Sequence, residues 1–144
     1  MAEKDRLYKM FLALANDPKW FNGRNGITVT DVGEGFAKGE MENSPLTHNV
    51  LGGIHGGALS TLADTVAAVA VVSLGGVCVT IHNSMEYLRR AKPGPVSCEA
   101  RVRKAGKTIT VCEAIIRDSG GEEIAFGVFT FQMTGEPLPF LAGQ

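Results

Sequence analysis

The sequence has little net charge, little histidine and little cysteine, and each shortage argues against a class of function. Fourteen Lys and Arg nearly balance fifteen Asp and Glu, giving a net charge of −1, so nothing draws the chain as a whole toward nucleic acid or an anionic membrane. Three scattered histidines argue against a metal site. Three cysteines without a CxxC pair are typical of reduced thiols in the cytoplasm. We therefore expect a cytoplasmic protein with no nucleic-acid, membrane or metal partner.

Long hydrophobic runs are equally scarce. Residues 1–6 mix both charges and lead into no apolar core, so they predict no secretory signal. The longest apolar run, residues 58–74, contains Asp64 and four hydroxyl side chains, and glycines follow it directly. These features favour a buried core helix over a membrane span. The length of 144 residues fits one domain, 1–144.

The apolar periodicity predicts the order of the elements. Helical spacing indicates helices at about 3–16 and 57–74, and alternation indicates a hairpin at 27–41, with a loop at 43–55. Four strands should follow, at about 77–88, 96–103, 108–117 and 124–133, as a four-stranded meander with a loosely packed tail from Gly135. The predicted fold class is α+β, an antiparallel sheet wrapped around one long central helix. Because that helix is apolar all round, we expect a second subunit to cover it.

The most informative segment is the glycine-rich stretch that precedes this helix. It reads Asn49-Val50-Leu51-Gly52-Gly53-Ile54-His55-Gly56-Gly57, and the lone acid Asp64 follows inside the apolar run. A buried carboxylate is costly unless it is paired, so its presence needs a reason. Glycines at a helix start let the backbone approach a ligand where free N–H groups point outward. The pattern indicates an oxyanion site and a general base on one helix.

The pattern resembles a known family. Asn-x-x-Gly-x-x-His-Gly-Gly, an Asp eight residues after the first of the paired glycines, and the later Thr-x-x-x-x-x-x-Tyr-Leu-Arg are similar to the hotdog-fold acyl-CoA thioesterases of the phenylacetate-pathway (PaaI-like) group. The similarity covers about residues 26–134. It implies a hotdog fold, dimers often paired into tetramers, and hydrolysis of acyl-CoA without a cofactor, since CoA is part of the substrate.

Site residues follow from the same resemblance. Asp64 would be the catalytic carboxylate, and the Gly56 N–H would be the oxyanion donor, with Gly57 beside the ligand. Asn49 and His55 would border the thioester, and Thr80 would lie near the attacking water. The chain departs from the family at Arg90, where many members have Pro.

Helix geometry adds an argument for a dimer. Gly56 and Asp64 are eight residues apart, which is roughly 12 Å along a helix at about 1.5 Å per residue. One carbonyl cannot easily reach the Gly56 N–H and also lie one water from Asp64 of the same chain. Two helices paired antiparallel about a two-fold axis would bring each Gly56 to the other chain's Asp64.

A basic segment between residues 89 and 107 holds half of the Lys and Arg against the single acid Glu99. Within this segment, the candidates for binding the phosphates of CoA are Arg89, Arg90, Lys104 and Lys107. A solvated basic face explains the same composition.

Each of the candidate site residues could instead have a purely structural role. Asp64 could be a satisfied acid that accepts from a hydroxyl such as Ser60. Gly56 and Gly57 could serve a tight loop-to-helix entry, His55 could be a structural hydrogen-bonding group, and Thr80 an ordinary strand residue.

Three rival functions also have to be weighed. A lipase-type hydrolase lacks its Gly-x-Ser-x-Gly motif here. A hotdog hydratase or dehydratase, or a non-catalytic acyl-CoA binding or sensing module, stays an alternative. The apolar residues nearest the motif, Leu51, Ile54 and Leu59, favour an apolar acyl group without choosing between aromatic and short or medium chains.

Overall fold

The computed structural model describes residues 2–138 and contains, in that range, three helices and six strands. In chain order they are α1 (Glu3–Ala15), α2 (Phe21–Arg24), β1 (Ile27–Gly33), β2 (Phe36–Met41), α3 (Gly56–Val72), β3 (Cys78–Tyr87), β4 (Val96–Ala105), β5 (Ile109–Arg117) and β6 (Glu123–Met133). Every element expected from the periodicity is present within a few residues. The four-residue α2 was missed because it is too short to show a period.

The six strands form one antiparallel sheet in the order β1-β2-β4-β5-β6-β3. The prediction of a four-stranded meander is therefore wrong, since β3 pairs with β6 and only β4, β5 and β6 follow one another. Short turns at Gly106 and Gly120 join the meander strands, whereas a longer connection with Pro93 and Pro95 separates β3 from β4. A hairpin needs a tight turn, which that connection does not provide.

Helix α3 packs on one face of this sheet and supplies the centre of the core. Its buried side chains include Leu62, Ala63, Val66 and Ala67, which lie against the buried Phe129 of β6 and its neighbours. This arrangement confirms the predicted α+β fold with a sheet wrapped around a central helix. The order β1-β2-β4-β5-β6-β3 also leaves β3 at one edge and β1 at the other.

One face of α3 is uncovered in the single chain. Gly57 is exposed, and Thr61, Asp64 and Ala68 are half-buried, at spacings of four, three and four residues that align them in one stripe. Asp64 is therefore not sealed in the core, because the helix stripe that carries it has no cover from the described part of its own chain.

The two edge strands of the sheet differ in how far they are covered. Strand β1 packs against α1, whereas β3 is exposed over most of its ten residues. Val79 and Ile81 of β3 are each 51% exposed. A long edge strand with exposed apolar side chains is a template for pairing with another strand.

Most of the described tail agrees with the expected loose packing, since Gly135, Glu136 and Pro137 are exposed. Leu138 is buried, so the expectation of loose packing is wrong for this residue. Residues 139–144 lie outside the described residues. Within residues 2–138, no helix combines the length and the apolar character needed to cross a bilayer.

Candidate active site

His55 organises the start of α3. Its Nδ1 accepts from the Gly57 N–H at 2.8 Å, and its carbonyl accepts from the N–H groups of Ala58 and Leu59 at 2.9 and 3.1 Å. The first four N–H groups of a helix have no partner within the helix. Counted from the N-cap, the His55 N–H donates to the Thr47 carbonyl at 2.9 Å, and those of Gly57 and Ala58 donate to His55. The fourth, the Gly56 N–H, has no acceptor among residues 2–138. This N–H is free to receive a ligand, and the cap supports the structural alternative for His55.

The paired glycines are needed for different reasons. A Cβ at Gly57 would lie 3.0 Å from Nδ1 and 3.2 Å from Cε1 of His55, so Gly57 makes room for the capping ring. A Cβ at Gly56 would meet only ring atoms of Tyr87, at 3.7 and 3.8 Å, which is ordinary contact. Packing within the described chain therefore explains Gly57 but gives no reason for glycine at 56.

Asp64 is held by a residue of the neighbouring strand. The Thr80 hydroxyl donates to Asp64 Oδ1 at 2.8 Å, from β3 to α3. The donor is thus Thr80 and not Ser60, the hydroxyl proposed from sequence for a satisfied acid. The other carboxylate oxygen, Oδ2, has no hydrogen-bond donor within the described range. One oxygen is fixed and the second is available to a water molecule.

Cys78 lies close enough to the site for its thiol to respond to Asp64. Burial, and then the Asp64 charge, raise the pKa of Cys78 to about 11. A thiol with such a pKa stays protonated near neutral pH, which makes Cys78 a poor nucleophile.

Asn49 shapes the loop that leads to the site. Its side-chain oxygen accepts from the N–H groups of Leu51 and Gly53 at 2.9 and 3.3 Å, and its own N–H donates to the Gly53 carbonyl at 2.8 Å. The oxygen of Asn49 is therefore used within the loop. A direct contact of Asn49 with a thioester would have to use the amide nitrogen.

A pocket of about 230 Å³ lies beside this loop. Its wall includes Asn49, Leu51, Gly53, Ile54, Leu59, Arg89, Arg90, Ala91 and Ile124. The guanidinium of Arg90 packs on the loop backbone, since a Cβ at Gly53 would lie 3.6 Å from its Nε. Arg90 makes no hydrogen bond or ion pair with any described residue. The pocket combines apolar walls with one unpaired cation.

The four basic candidates do not converge in one chain. Arg89 donates to Glu122 at 3.1 Å and to the Glu123 carbonyl at 3.0 Å, so its charge is already paired. Lys107 lines one pocket with Leu74, which lies just beyond the C-terminal end of α3. Lys104 is three residues before Lys107, at the end of β4. Only Arg90 stands both unpaired and next to the glycine-rich loop.

Tyr87 is the residue that the sequence reasoning left without a role. It was recognised as part of the Tyr-Leu-Arg motif, but nothing in the sequence placed its ring beside Gly56. The signal was hidden because Tyr87 is seven residues from Thr80, and an odd spacing on a regular strand puts two side chains on opposite faces.

No group of three His, Cys, Asp or Glu side chains is arranged to bind a metal ion in the part of the chain that the structure describes. The single chain therefore holds two separate groups on α3: the Asp64 carboxylate with the Thr80 hydroxyl near its middle, and the free Gly56 N–H with the Tyr87 ring at its start.

Comparisons with known proteins identify the family. A family model described as the thioesterase superfamily matches residues 51–125. The PaaI protein from the phenylacetic acid degradation operon of Escherichia coli superposes with a TM-score of 0.83 at 26% identity, over 93% of this chain and 96% of that one. A thioesterase-named protein of Streptococcus pneumoniae, solved with coenzyme A, has a TM-score of 0.73 at 26% identity over 78% and 88% of the two chains.

Among curated sequences, a protein of Vibrio cholerae named as an esterase is 29% identical over 107 residues, which are 72% of this chain and 71% of that one. The family match covers the glycine-rich loop from Leu51 onward, together with α3 and β3, where most of the candidate site lies. The chain therefore belongs to the thioesterase superfamily and is a hotdog-fold thioester hydrolase similar to PaaI.

Proposed function

We propose that this protein hydrolyses acyl-CoA thioesters with apolar acyl groups to the free acid and CoA. Asp64 of one chain and the Gly56 N–H of a second chain form each site. The observation that carries the proposal is the pair of unused polar atoms on α3, the Gly56 N–H and Asp64 Oδ2, in a helix whose neighbouring amides are all bonded.

The chemistry of the substrate matches this small set of groups. Water attacks the thioester carbonyl carbon, Asp64 accepts its proton, and the Gly56 N–H donates to the oxygen that becomes negative. The carbon–sulfur bond then breaks and CoA leaves as a thiolate. Because a thiol has a pKa near 8.5, this leaving group needs little help from an acid. The reaction needs no cofactor.

Asp64 has a second route, in which its carboxylate attacks the carbonyl directly and forms an anhydride. Single turnover in ¹⁸O-water detects this second route when water attacks the aspartyl carbonyl of the anhydride. When Asp64 is the base, ¹⁸O appears only in the released acid. When it is the nucleophile and water attacks the aspartyl carbonyl, ¹⁸O appears in Asp64 and mass spectrometry of the peptide detects it.

A Streptococcus pneumoniae thioesterase-named protein supports the roles of Asp64 and Thr80. It was also solved with one Asp replaced by Ala and, separately, with one Thr replaced by Ala, at positions sixteen residues apart. Asp64 and Thr80 are separated by the same sixteen residues and share a hydrogen bond. Thr80 is proposed to fix the Asp64 carboxylate so that its free oxygen faces the water.

Three observations support a site shared between two chains. Gly56 and Asp64 lie on one unbroken helix, roughly 12 Å apart along its axis at about 1.5 Å per residue. The stripe of α3 that carries Asp64 is uncovered, and the edge strand β3 beside it is exposed. A two-fold axis that pairs α3 with its copy in antiparallel orientation covers that stripe. Pairing of two such dimers into a tetramer is carried over from the resemblance alone.

The same pairing offers a place for the basic candidates. Arg90 lies at the Gly56 end of α3, and Lys104 and Lys107 lie toward its other end. Antiparallel helices would bring the Lys107 end of one chain to the Gly56 end of the other. Arg90, Lys104 and Lys107 are proposed to meet the CoA phosphates there. Arg89 contributes less because Glu122 already pairs with it.

The three described cysteines are all free thiols, which supports a cytoplasmic location.

A thioester-cleavage assay that detects the released thiol tests the function. A panel of phenylacetyl-, butyryl- and octanoyl-CoA should include at least one substrate that the wild type cleaves and Asp64→Asn does not. Calorimetric binding of these acyl-CoAs without cleavage by the wild type would instead indicate a binding module.

Shared sites are tested by mixing two inactive variants. Gly56→Val and Asp64→Ala, unfolded and refolded together, should regain about a quarter of wild-type activity, because about half the dimers are mixed and one of their two sites is intact. No recovery, with mixed dimers confirmed by native mass spectrometry, would show that both groups act within one chain.

A further inference from the structure

We propose that Tyr87 determines acyl-group specificity by placing its ring beside the carbon next to the thioester carbonyl. The inference rests on the proposed function and adds a preference among acyl-CoA substrates. The ring disfavours acyl groups that are branched at this carbon and leaves linear groups unaffected.

An irregularity in β3 puts Tyr87 in this position. The pairing of β3 with β6 shifts between Thr80 and His82, so that Thr80 opposes Phe131 and Tyr87 opposes Ala125. Phe131 and Ala125 are both buried on the side of the sheet that faces the core. Directly opposed residues of an antiparallel pair share a face. The extra residue therefore brings Thr80 and Tyr87 to the same face despite their odd spacing.

Contacts with α3 confirm this orientation at both positions. Thr80 donates to Asp64, and Tyr87 ring atoms Cε1 and Cζ lie 3.7 and 3.8 Å from the position of a Cβ on Gly56. One strand thus supplies a side chain to each of the two candidate reaction groups of α3.

Tyr87 is not accounted for as a core residue. Its side chain is 51% exposed, and its hydroxyl has no hydrogen-bond partner among residues 2–138. A Cβ built on Gly56 would meet the ring only at ordinary contact distance. In the single chain, a half-exposed ring at this place bounds open space and does not fill the core.

The space it bounds is where the acyl group starts. A carbonyl oxygen bound to the Gly56 N–H lies about 2.9 Å from that nitrogen, and the next acyl carbon is two bonds from the oxygen. A methyl branch on that carbon adds bulk close to the Tyr87 ring. A single methyl or methylene group in such a pocket changes kcat/KM by about 10–200-fold.

Isomeric substrates test this proposal without a change in size or charge. Butyryl-CoA and isobutyryl-CoA form one pair, and 3-phenylpropionyl-CoA and 2-phenylpropionyl-CoA form an aromatic pair. We expect Tyr87→Ala to raise the ratio of kcat/KM for the branched isomer over the linear isomer by about tenfold or more. Tyr87→Phe keeps the ring and should leave the ratio unchanged.

Tyr8→Ala is the matched control, because Tyr8 lies on α1 and packs against Phe11, away from β3. General damage to the fold would lower the rates for both isomers and leave their ratio unchanged. A ratio within twofold of wild type in Tyr87→Ala overturns the proposal. A shift as large in Tyr87→Phe as in Tyr87→Ala also overturns it, since the hydroxyl would then be responsible.

Measurements of substrate binding test the role of Tyr87 independently of the proposed hydrolysis. In an Asp64→Asn background, calorimetry gives Kd values for the same isomers without turnover. There too, Tyr87→Ala should reduce the difference in Kd between the branched and the linear isomer. Failure of the wild type to cleave any acyl-CoA would count against hydrolysis. An unchanged Kd ratio would count against the role of Tyr87.

Discussion

Two glycine-rich segments of this protein each lie near an aspartate, and they use their polar groups in opposite ways. In the turn at 118–121, Asp118 Oδ1 accepts from the N–H groups of Gly120 and Glu122 at 3.0 and 3.1 Å, and Oδ2 accepts from Lys92 N–H at 3.2 Å. The hydrogen bond from Lys92, with those from Glu122 and Gly120, holds the pKa of Asp118 below its usual value. Both oxygens of this carboxylate are therefore occupied.

The segment at 49–57 leaves comparable groups unused. Its Gly56 N–H has no acceptor in the described residues, and the nearby Asp64 has one oxygen bonded to Thr80 and one without a donor. Glycine and aspartate in a sequence therefore do not distinguish a turn from a site. The distinction lies in which hydrogen-bonding groups the fold leaves without a partner.

Replacement of Gly56 should have the largest effect, and it sharpens this comparison. Gly56→Val places bulk where the carbonyl should approach, and loss of one oxyanion donor lowers kcat by about 100-fold to 1,000-fold. Steady-state kinetics with the best acyl-CoA measures the loss, and a thermal melt checks the fold. A folded and fully active Gly56→Val enzyme would remove the oxyanion role from this N–H.

Reversal of the unpaired cation next to the same loop should have a smaller effect. Arg90→Glu is expected to raise KM for acyl-CoA by about tenfold with a smaller change in kcat, because the phosphates lie far from the reacting carbon. The penalty should shrink with added salt. Arg103→Glu, on β4 and outside the pocket, makes the same charge change and should leave KM unaltered. Equal KM values for the two variants would exclude Arg90 from phosphate binding.

Replacement of Asp118 in the turn should lower the stability of the protein without lowering its turnover. Asp118→Ala removes the acceptor of three backbone N–H groups and should lower Tm by roughly 5 °C, since unsatisfied donors are costly. Its kcat per folded molecule, measured well below Tm, should equal that of the wild type. A large loss of kcat at unchanged Tm would break the comparison, because it would place Asp118 with the reacting groups.

A fall in pH should produce the smallest effect, a change in the Tm difference between wild type and Asp118→Ala. The folded-state pKa of Asp118 is lowered from 3.8, so its stabilisation is fully present above that value and is lost as pH falls through the folded pKa. The Tm difference between wild type and Asp118→Ala should therefore be constant from pH 7 to pH 5 and should narrow below pH 4. A difference that widens toward low pH would contradict this assignment.

Local pattern predicted the elements, the central helix and the glycine-rich motif, because these depend on neighbouring residues along the chain. The position of β3 was not predictable in this way, since alternation identifies a strand without identifying its partner. The bulge between Thr80 and His82 was equally hidden, and with it the meeting of Tyr87 with Gly56. Pairing of Asp64 with Thr80 depends on the same contact between β3 and α3.

Asp64 and Asp118, compared side by side, test the central claim most directly. The measurement is kcat on the best acyl-CoA, together with Tm, for Asp64→Asn and Asp118→Ala. The account predicts that Asp64→Asn lowers kcat by about 100-fold or more with Tm nearly unchanged, since the half-exposed Asp64 has one hydrogen bond to lose. Asp118→Ala should show the reverse pattern. Near-normal turnover by Asp64→Asn would contradict the claim that the carboxylate with the free oxygen carries the hydrolysis.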